Sequence, residues 1–437
     1  MVTRLWTRVD GRILAVAVPA FFALVSEPLM LLVDTAIVGR LGTPELAGLG
    51  AASTVLLTFV GLCVFLAYGS TATVGRLHGA GHPAEAYRGA IGGLWLALGL
   101  GVALGALTTA TSGPVARALT DSAESARHAA DYLAISGAAV PAMLLALAAT
   151  GALRGTLDLR TPLVVTVLAN VVNAALNLWL VHGVGLGVPG SALGTTIAQW
   201  VGALALTAVV LGRARRTGAA SRPDLGSVLG AGRAGVPLLV RTATLRASLL
   251  IGTAVAASMG DVPLAAHQIA TSLVSFLAFA LDAVAIAGQT LTGRALGASD
   301  PELARGLTRR MIVWGVWTGA LGGVLLALSA PWVGGWFVAD PAVHRVLVPA
   351  LLVVAAVQPV SGVVFVLDGV LIGAGDGTYL AWAGLVTLAV YAPLAVLVGV
   401  LGAGFAWLWV AYGGFQLARL ATLWVRQRGD RWMVLGA

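Results

Sequence analysis

The sequence predicts an all-α polytopic membrane protein, with twelve transmembrane helices in two parallel six-helix repeats around a central cavity. Three observations predict it. First, the 437 residues are 59% hydrophobic and only 10% charged, whereas a soluble domain carries about 25% charged residues. Second, apolar runs of about 20 residues, enough to cross a bilayer as a helix, recur along the whole chain. Third, the second half repeats features of the first at one constant offset. The same composition excludes a disordered chain, which needs few apolar residues and much charge. A single cysteine, Cys63, excludes a disulfide scaffold and reads as a small packed side chain. Long runs in place of short alternating segments exclude an outer-membrane barrel.

The spans fall near residues 13–38, 48–74, 89–112, 130–152, 161–182, 190–212, 235–258, 264–292, 311–330, 346–371, 379–400 and 405–424. The first is too long for the core of a cleaved signal peptide and is not followed by a small-residue cleavage site. All 26 basic residues are arginine, and their placement gives orientation. Nineteen lie at the termini or in even-numbered loops, against four (Arg40, Arg117, Arg127 and Arg345) in odd-numbered loops. By the positive-inside rule both termini are expected in the cytoplasm. The expected location is a bacterial inner membrane. The net charge of +8 therefore belongs to loops that face lipid headgroups; no nucleic-acid partner is expected, because no basic module has a core of its own.

The longest polar connection, 213–234, divides the chain into an N-terminal lobe, 1–212, and a C-terminal lobe, 235–437. A shift of 218 residues places Pro19 on Pro237, Gly42 on Gly260, and Leu46-Ala47 on Leu264-Ala265. It also lays "GRLHGAGHPAEA" from Gly75 on "GRALGASDPELA" from Gly293, and Gly151, Leu153, Gly155 and Asp158 on Gly369, Leu371, Gly373 and Asp376. Six spans per half is an even number, so both halves enter the membrane in the same direction. Parallel lobes of this kind enclose a cavity and alternate its access by rocking, which points to transport.

An ionisable group at the bilayer centre is costly and needs a reason. Glu27 and Asp34 stand seven residues apart in span 1, nearly two turns, and so share a face. Pro28 removes a backbone donor beside them. A carboxylate pair beside a helix-perturbing proline reads as a moving, protonatable element, or as polar packing. The shifted positions are Leu245 and Gly252, so the second lobe does not repeat the pair. In span 5, Thr166, Asn170, Asn173 and Asn177 line one helical face, where they could orient a carboxylate, a water or a cation, or hold helices together. Thr195 and Thr196 of span 6 are weaker candidates, since membrane threonines commonly bond their own turn.

In the second lobe, span 7 carries Arg241 and Arg246, span 8 carries Asp282 and Gln289, and span 10 carries Gln358, Ser361 and Asp368. Two arginines against two aspartates balance in sign and suggest a buried ion-pair network, serving either structure or the substrate cavity. His267 reads as an interfacial histidine. The six histidines are scattered, so no metal site is indicated and no cofactor is expected. Asp158 and Asp376 could suggest a membrane enzyme, but "GTLDLRT" and "GAGDGT" read as turns.

At these residues the chain resembles the MATE (multidrug and toxic compound extrusion) family, in its DinF-like branch. "EPLMLLVDTAIVGRLG" from Glu27 is similar to the family's first helix and "LRGTLDLRTPL" from Leu153 to the loop before helix 5. "LAAHQIATS" from Leu264 is similar to the start of helix 8, and "VLDGVLIGAGD" from Val366 to helix 10. The resemblance runs over about 13–424. It implies a two-lobed antiporter that exports amphipathic, mostly cationic compounds in exchange for protons or sodium; a monomer and proton coupling are the expectation here. Asp34 matches the family's acidic residue of helix 1 and Asn173 its asparagine of helix 5. The acidic residue four positions on is Asn177 here, so titration rests on Asp34 alone or with Glu27. Sodium coupling is the rival, with Asp34, Asn173, Asn177 and Thr195 as oxygen ligands. A lipid-linked precursor flippase is a further alternative, for which Arg241 and Arg246 are the candidate anion contacts.

Overall fold

The structure, a computed structural model, describes residues 8–219 and 224–436. Among the described residues twelve helices follow one another: α1 (Arg8–Val38), α2 (Thr43–Gly79), α3 (Pro83–Leu119), α4 (Ala123–Gly155), α5 (Arg160–Gly183), α6 (Val188–Arg216), α7 (Leu225–Ser258), α8 (Asp261–Gly297), α9 (Pro301–Trp336), α10 (Pro341–Gly373), α11 (Gly377–Val400) and α12 (Phe405–Arg428). Eleven are long and apolar enough to cross a membrane on length and composition. The exception is α12, where Gln416 and Arg419 interrupt the expected twelfth apolar run. α1 stays helical through Pro28. α2 is interrupted at Cys63 and Val64, and Cys63 is buried as expected.

Short polar signals set the helix starts. Ser122 accepts the Ser125 amide at the head of α4, Asp300 that of Leu303 before α9, and Asp340 that of Ala342 before α10. Such caps satisfy amides that have no partner inside the helix. Gly260 and Gly404 turn the chain into α8 and α12 at φ 111° and 93°, a region costly for any residue with a Cβ.

The chain forms two compact units, Phe22–Gly235 and Val236–Gly436, the latter joined by the start of α1 up to Phe21. α1 is thus shared between them, although the sequence suggests that it belongs wholly to the first lobe. The expected linker, 213–234, is largely helical, since α6 runs to Arg216 and α7 starts at Leu225. Its residues 220–223, including Arg222, lie outside the described residues, as does Arg4.

In the first unit the helices meet at small residues. A Cβ on Gly101 of α3 would lie 2.5 Å from the Cα of Pro141 on α4, and Gly151 of α4 abuts the Ala67 backbone of α2. In the second unit Gly315 of α9 meets Gly362 of α10, and Gly369 and Gly373 of α10 meet Ala285 and Gln289 of α8. Without a hydrophobic force between helices in lipid, close backbone approach supplies the packing attraction. Large apolar side chains point outward instead: Val171 is 61% exposed and Trp317 69%, as a lipid-facing surface requires.

Each unit also closes its fourth inter-helix loop, counted within its own repeat, with an ion pair. In the first unit Arg213, near the end of α6, pairs with Asp158, whose carboxylate also accepts the Thr161 amide at 3.0 Å and hydroxyl at 2.7 Å. Burial works to raise the Asp158 pKa, but these hydrogen bonds and the Arg213 charge outweigh it and hold the carboxyl below its usual range. In the second unit Arg426 of α12 grips Asp376 through Nε at 2.6 Å and Nη2 at 3.1 Å. Both aspartates are therefore held by arginine at the turns that the sequence suggests.

Candidate functional site

The first unit buries one polar ring inside an apolar bundle. α1 reaches it only in its last turns, where Asp34, Ile37 and Val38 are buried. α5 presents Asn173 and Asn177 from one face, both fully buried, while Val164, Leu168 and Val171 on its other side are exposed. α6 adds Thr195. The Asn177 amide Nδ2 donates to Asp34 Oδ1 at 2.6 Å and lies 3.4 Å from Asn173 Oδ1. Asn173 Nδ2 donates to Thr195 Oγ1 at 2.9 Å, and Thr195 stands within hydrogen-bonding reach of Asp34. Three side chains from two helices thus close on one carboxyl that is 2% exposed.

No cation among the described residues pairs with Asp34; the donors that face it are neutral. Asn177 Oδ1 is buried with no hydrogen-bond partner. Gly194 on α6 packs against that oxygen so closely that a Cβ there would overlap it. Tyr132 of α4, 3% exposed, reaches Thr195 and lies within electrostatic range of Asp34. The sequence reasoning missed Tyr132, because an aromatic in an apolar run carries no polar signal of its own.

The structure brings together Asp34, Asn173, Asn177 and Thr195, and leaves two candidates outside. Asn170 is one turn away, where its Nδ2 donates to the Ser26 carbonyl of α1 at 2.9 Å. Glu27 is exposed and does not join the ring. Helical spacing gives it nearly the same angular position as Asp34, but no residue of α1 from Phe21 to Val33 is fully buried.

The second unit holds the ion-pair network expected from charge balance, with a different membership. Asp368 on α10 pairs with Arg241 of α7 and with Arg419 Nη2 of α12 at 3.4 Å. Arg419 also donates to Gln416 at 3.3 Å, which bonds Ser361 at 2.9 Å, and Asp282 acts on Arg419 electrostatically. Arg241, Asp368 and Arg419 line a small cleft together with Thr387. Arg246 is exposed and makes no ion pair among the described residues. Five residues carry it about 140° around α7 from Arg241, so the two arginines cannot serve one site. Gln289 and Gln358 are buried at the glycine contacts of α8 with α10 and α9 with α10. Arg419, absent from the sequence-based set, was legible: it stands inside the twelfth span and is 9% exposed.

The comparisons with known proteins agree with this architecture. The family model described as MatE matches residues 19–179 and again 237–397, two segments separated by the 218-residue offset of the internal repeat. The chain is 28% identical to DNA damage-inducible protein F of Escherichia coli, over 98% of this chain and 94% of that protein. It is 32% identical to the probable multidrug resistance protein NorM of Burkholderia pseudomallei, over 82% of this chain and 79% of that one. A crystal structure of MATE in the bent conformation shares the fold with TM-score 0.89 at 19% identity, covering 97% of this chain and 95% of that one. With both halves matched, the chain belongs to the MatE family of membrane transporters.

Proposed function

We propose that this transporter exports amphipathic, mostly cationic compounds in exchange for protons, as a monomer in the bacterial inner membrane with both termini in the cytoplasm. Asp34 is the main protonation site. Two relatives, DNA damage-inducible protein F and NorM, are bacterial, and the latter is named a probable multidrug resistance protein. The observation that carries the mechanism is the Asp34 ring. As an anion, Asp34 accepts from Asn177 and Thr195. As an acid it gains an O–H that needs an acceptor. Asn177 Oδ1 is buried and unpartnered, so rotating that amide exchanges a donor for an acceptor. Proton uptake from outside thus rearranges the contact between α1 and α5 and expels the bound cation. Release to the cytoplasm restores the binding state, and rocking of the lobes alternates access.

The experiment is Asp34→Asn in proteoliposomes under an imposed pH gradient. The substitution abolishes proton-driven efflux while the folded protein persists; full pH-coupled efflux would sink the proposal. One observation favours sodium as a second reading: Asn177 Oδ1, Asp34 and Thr195 offer neighbouring oxygens. A sodium gradient imposed at constant pH separates the two, since proton coupling predicts no efflux under that condition.

A further inference from the structure

We propose that Asp10, Arg310 and Trp314 form the fixed end of α1 and act as positioning residues for coupling, an inference that rests on the antiport reading above. Asp10 lies in the first turn of α1 and is 0% exposed. Its Oδ1 accepts from Arg310 Nε at 2.6 Å and from Trp314 Nε1 at 2.8 Å, and its Oδ2 from Arg310 Nη2 at 2.9 Å. A carboxylate in a first helical turn already gains from the helix dipole, and that gain does not require burial. Burying the group is costly unless its geometry is excellent. Here three donors from one face of α9, four residues apart, meet both oxygens. The two parallel guanidinium bonds fix direction as well as distance, so they set the rotation of α1 about its own axis.

That rotation matters because of what the helix carries. Asp34 lies 24 residues beyond Asp10, about 36 Å along a straight helix. α1 is continuous between them, yet Asp10 clusters with one unit and Asp34 with the other. A helix held at its start in one unit and protonated near its end in the other links the two mechanically. Release of the clamp would let α1 change position without Asp34 changing its proton, so substrate would pass without proton exchange.

The test measures protons moved per ethidium cation moved, with purified protein in proteoliposomes. In Asp10→Asn the ratio falls at least threefold while ethidium binding stays within twofold. Exchanging the charges, Asp10→Arg with Arg310→Asp, restores at least half of the lost ratio. A merely structural role would lower both fluxes together and leave the ratio unchanged. Should Asp10→Asn fail to fold, Trp314→Phe, which removes the indole N–H together with part of the ring, and Arg310→Lys, which removes the fork, lower the ratio in graded fashion. An unchanged ratio in every variant, with the parent protein coupled, overturns the clamp alone. A parent protein that exchanges no protons for ethidium overturns the antiport reading and the clamp with it.

Discussion

Gly194→Ala tests the polar ring without touching any of its members. The new Cβ would overlap Asn177 Oδ1 and sit 3.2 Å from both the Asn177 side-chain carbon and its backbone nitrogen. The backbones of α5 and α6 are packed, so the amide must turn away and its 2.6 Å bond to Asp34 is lost. A hydrogen bond to a charged group contributes about 2 kcal/mol, which corresponds to roughly a thirtyfold change in the balance between the two protonation states. The helix itself gains about 1 kcal/mol, because alanine replaces glycine inside α6. Global stability therefore changes little, a few degrees in Tm, while proton-driven efflux falls at least tenfold. Gly212→Ala is the matched control: it lies on the same helix with nothing within 4 Å of its new Cβ, and it should leave efflux intact. Both quantities come from one preparation, by thermal unfolding in detergent and by efflux in proteoliposomes. Equal efflux from the two glycine variants would refute the role assigned to Asn177.

Two further outcomes concern stability. Asp368→Asn leaves Arg241 and Arg419 facing each other without their shared anion; stranding buried charge costs about 3 kcal/mol, readable as a lowered thermal midpoint. Asp158 has a depressed pKa in the folded chain, so its contribution is present above the carboxyl value of the unfolded chain, about 4, and is lost as the pH falls through the lower folded value. Asp158→Asn should therefore cost about 1 kcal/mol at neutral pH and flatten the acid limb of a stability profile; an unaltered acid limb would count against the Asp158–Arg213 pair.

Much of this protein is legible in its sequence because a bilayer imposes simple rules. Span length, arginine placement and the constant offset led to the helical architecture, and the family match repeats at the same spacing. The ring was legible for a related reason: Asp34 stands out in an apolar run, and the asparagines of α5 recur at helical spacing. Glu27 and Arg246 went the other way. Spacing along one helix gives an angle, but not whether a neighbour covers that height, and five residues turn a helix to its far side. Arg419 was overlooked because it lies in the last and least apolar helix, near arginines that mark the membrane edge. Asp10 is invisible to pattern reading, since its partners on α9 lie about 300 positions away.

The two loop ion pairs also record how the halves diverged after duplication. Asp158 and Asp376 occupy equivalent positions under the 218-residue shift, so the acid is inherited. The arginines are not equivalent. Arg213 would map onto Arg431, an exposed residue past the end of α12, whereas Asp376 is gripped by Arg426. The same contact is therefore made in each half by an arginine from a different repeat position. Closing this loop requires a guanidinium within reach of the aspartate, and not one at a fixed place in the repeat.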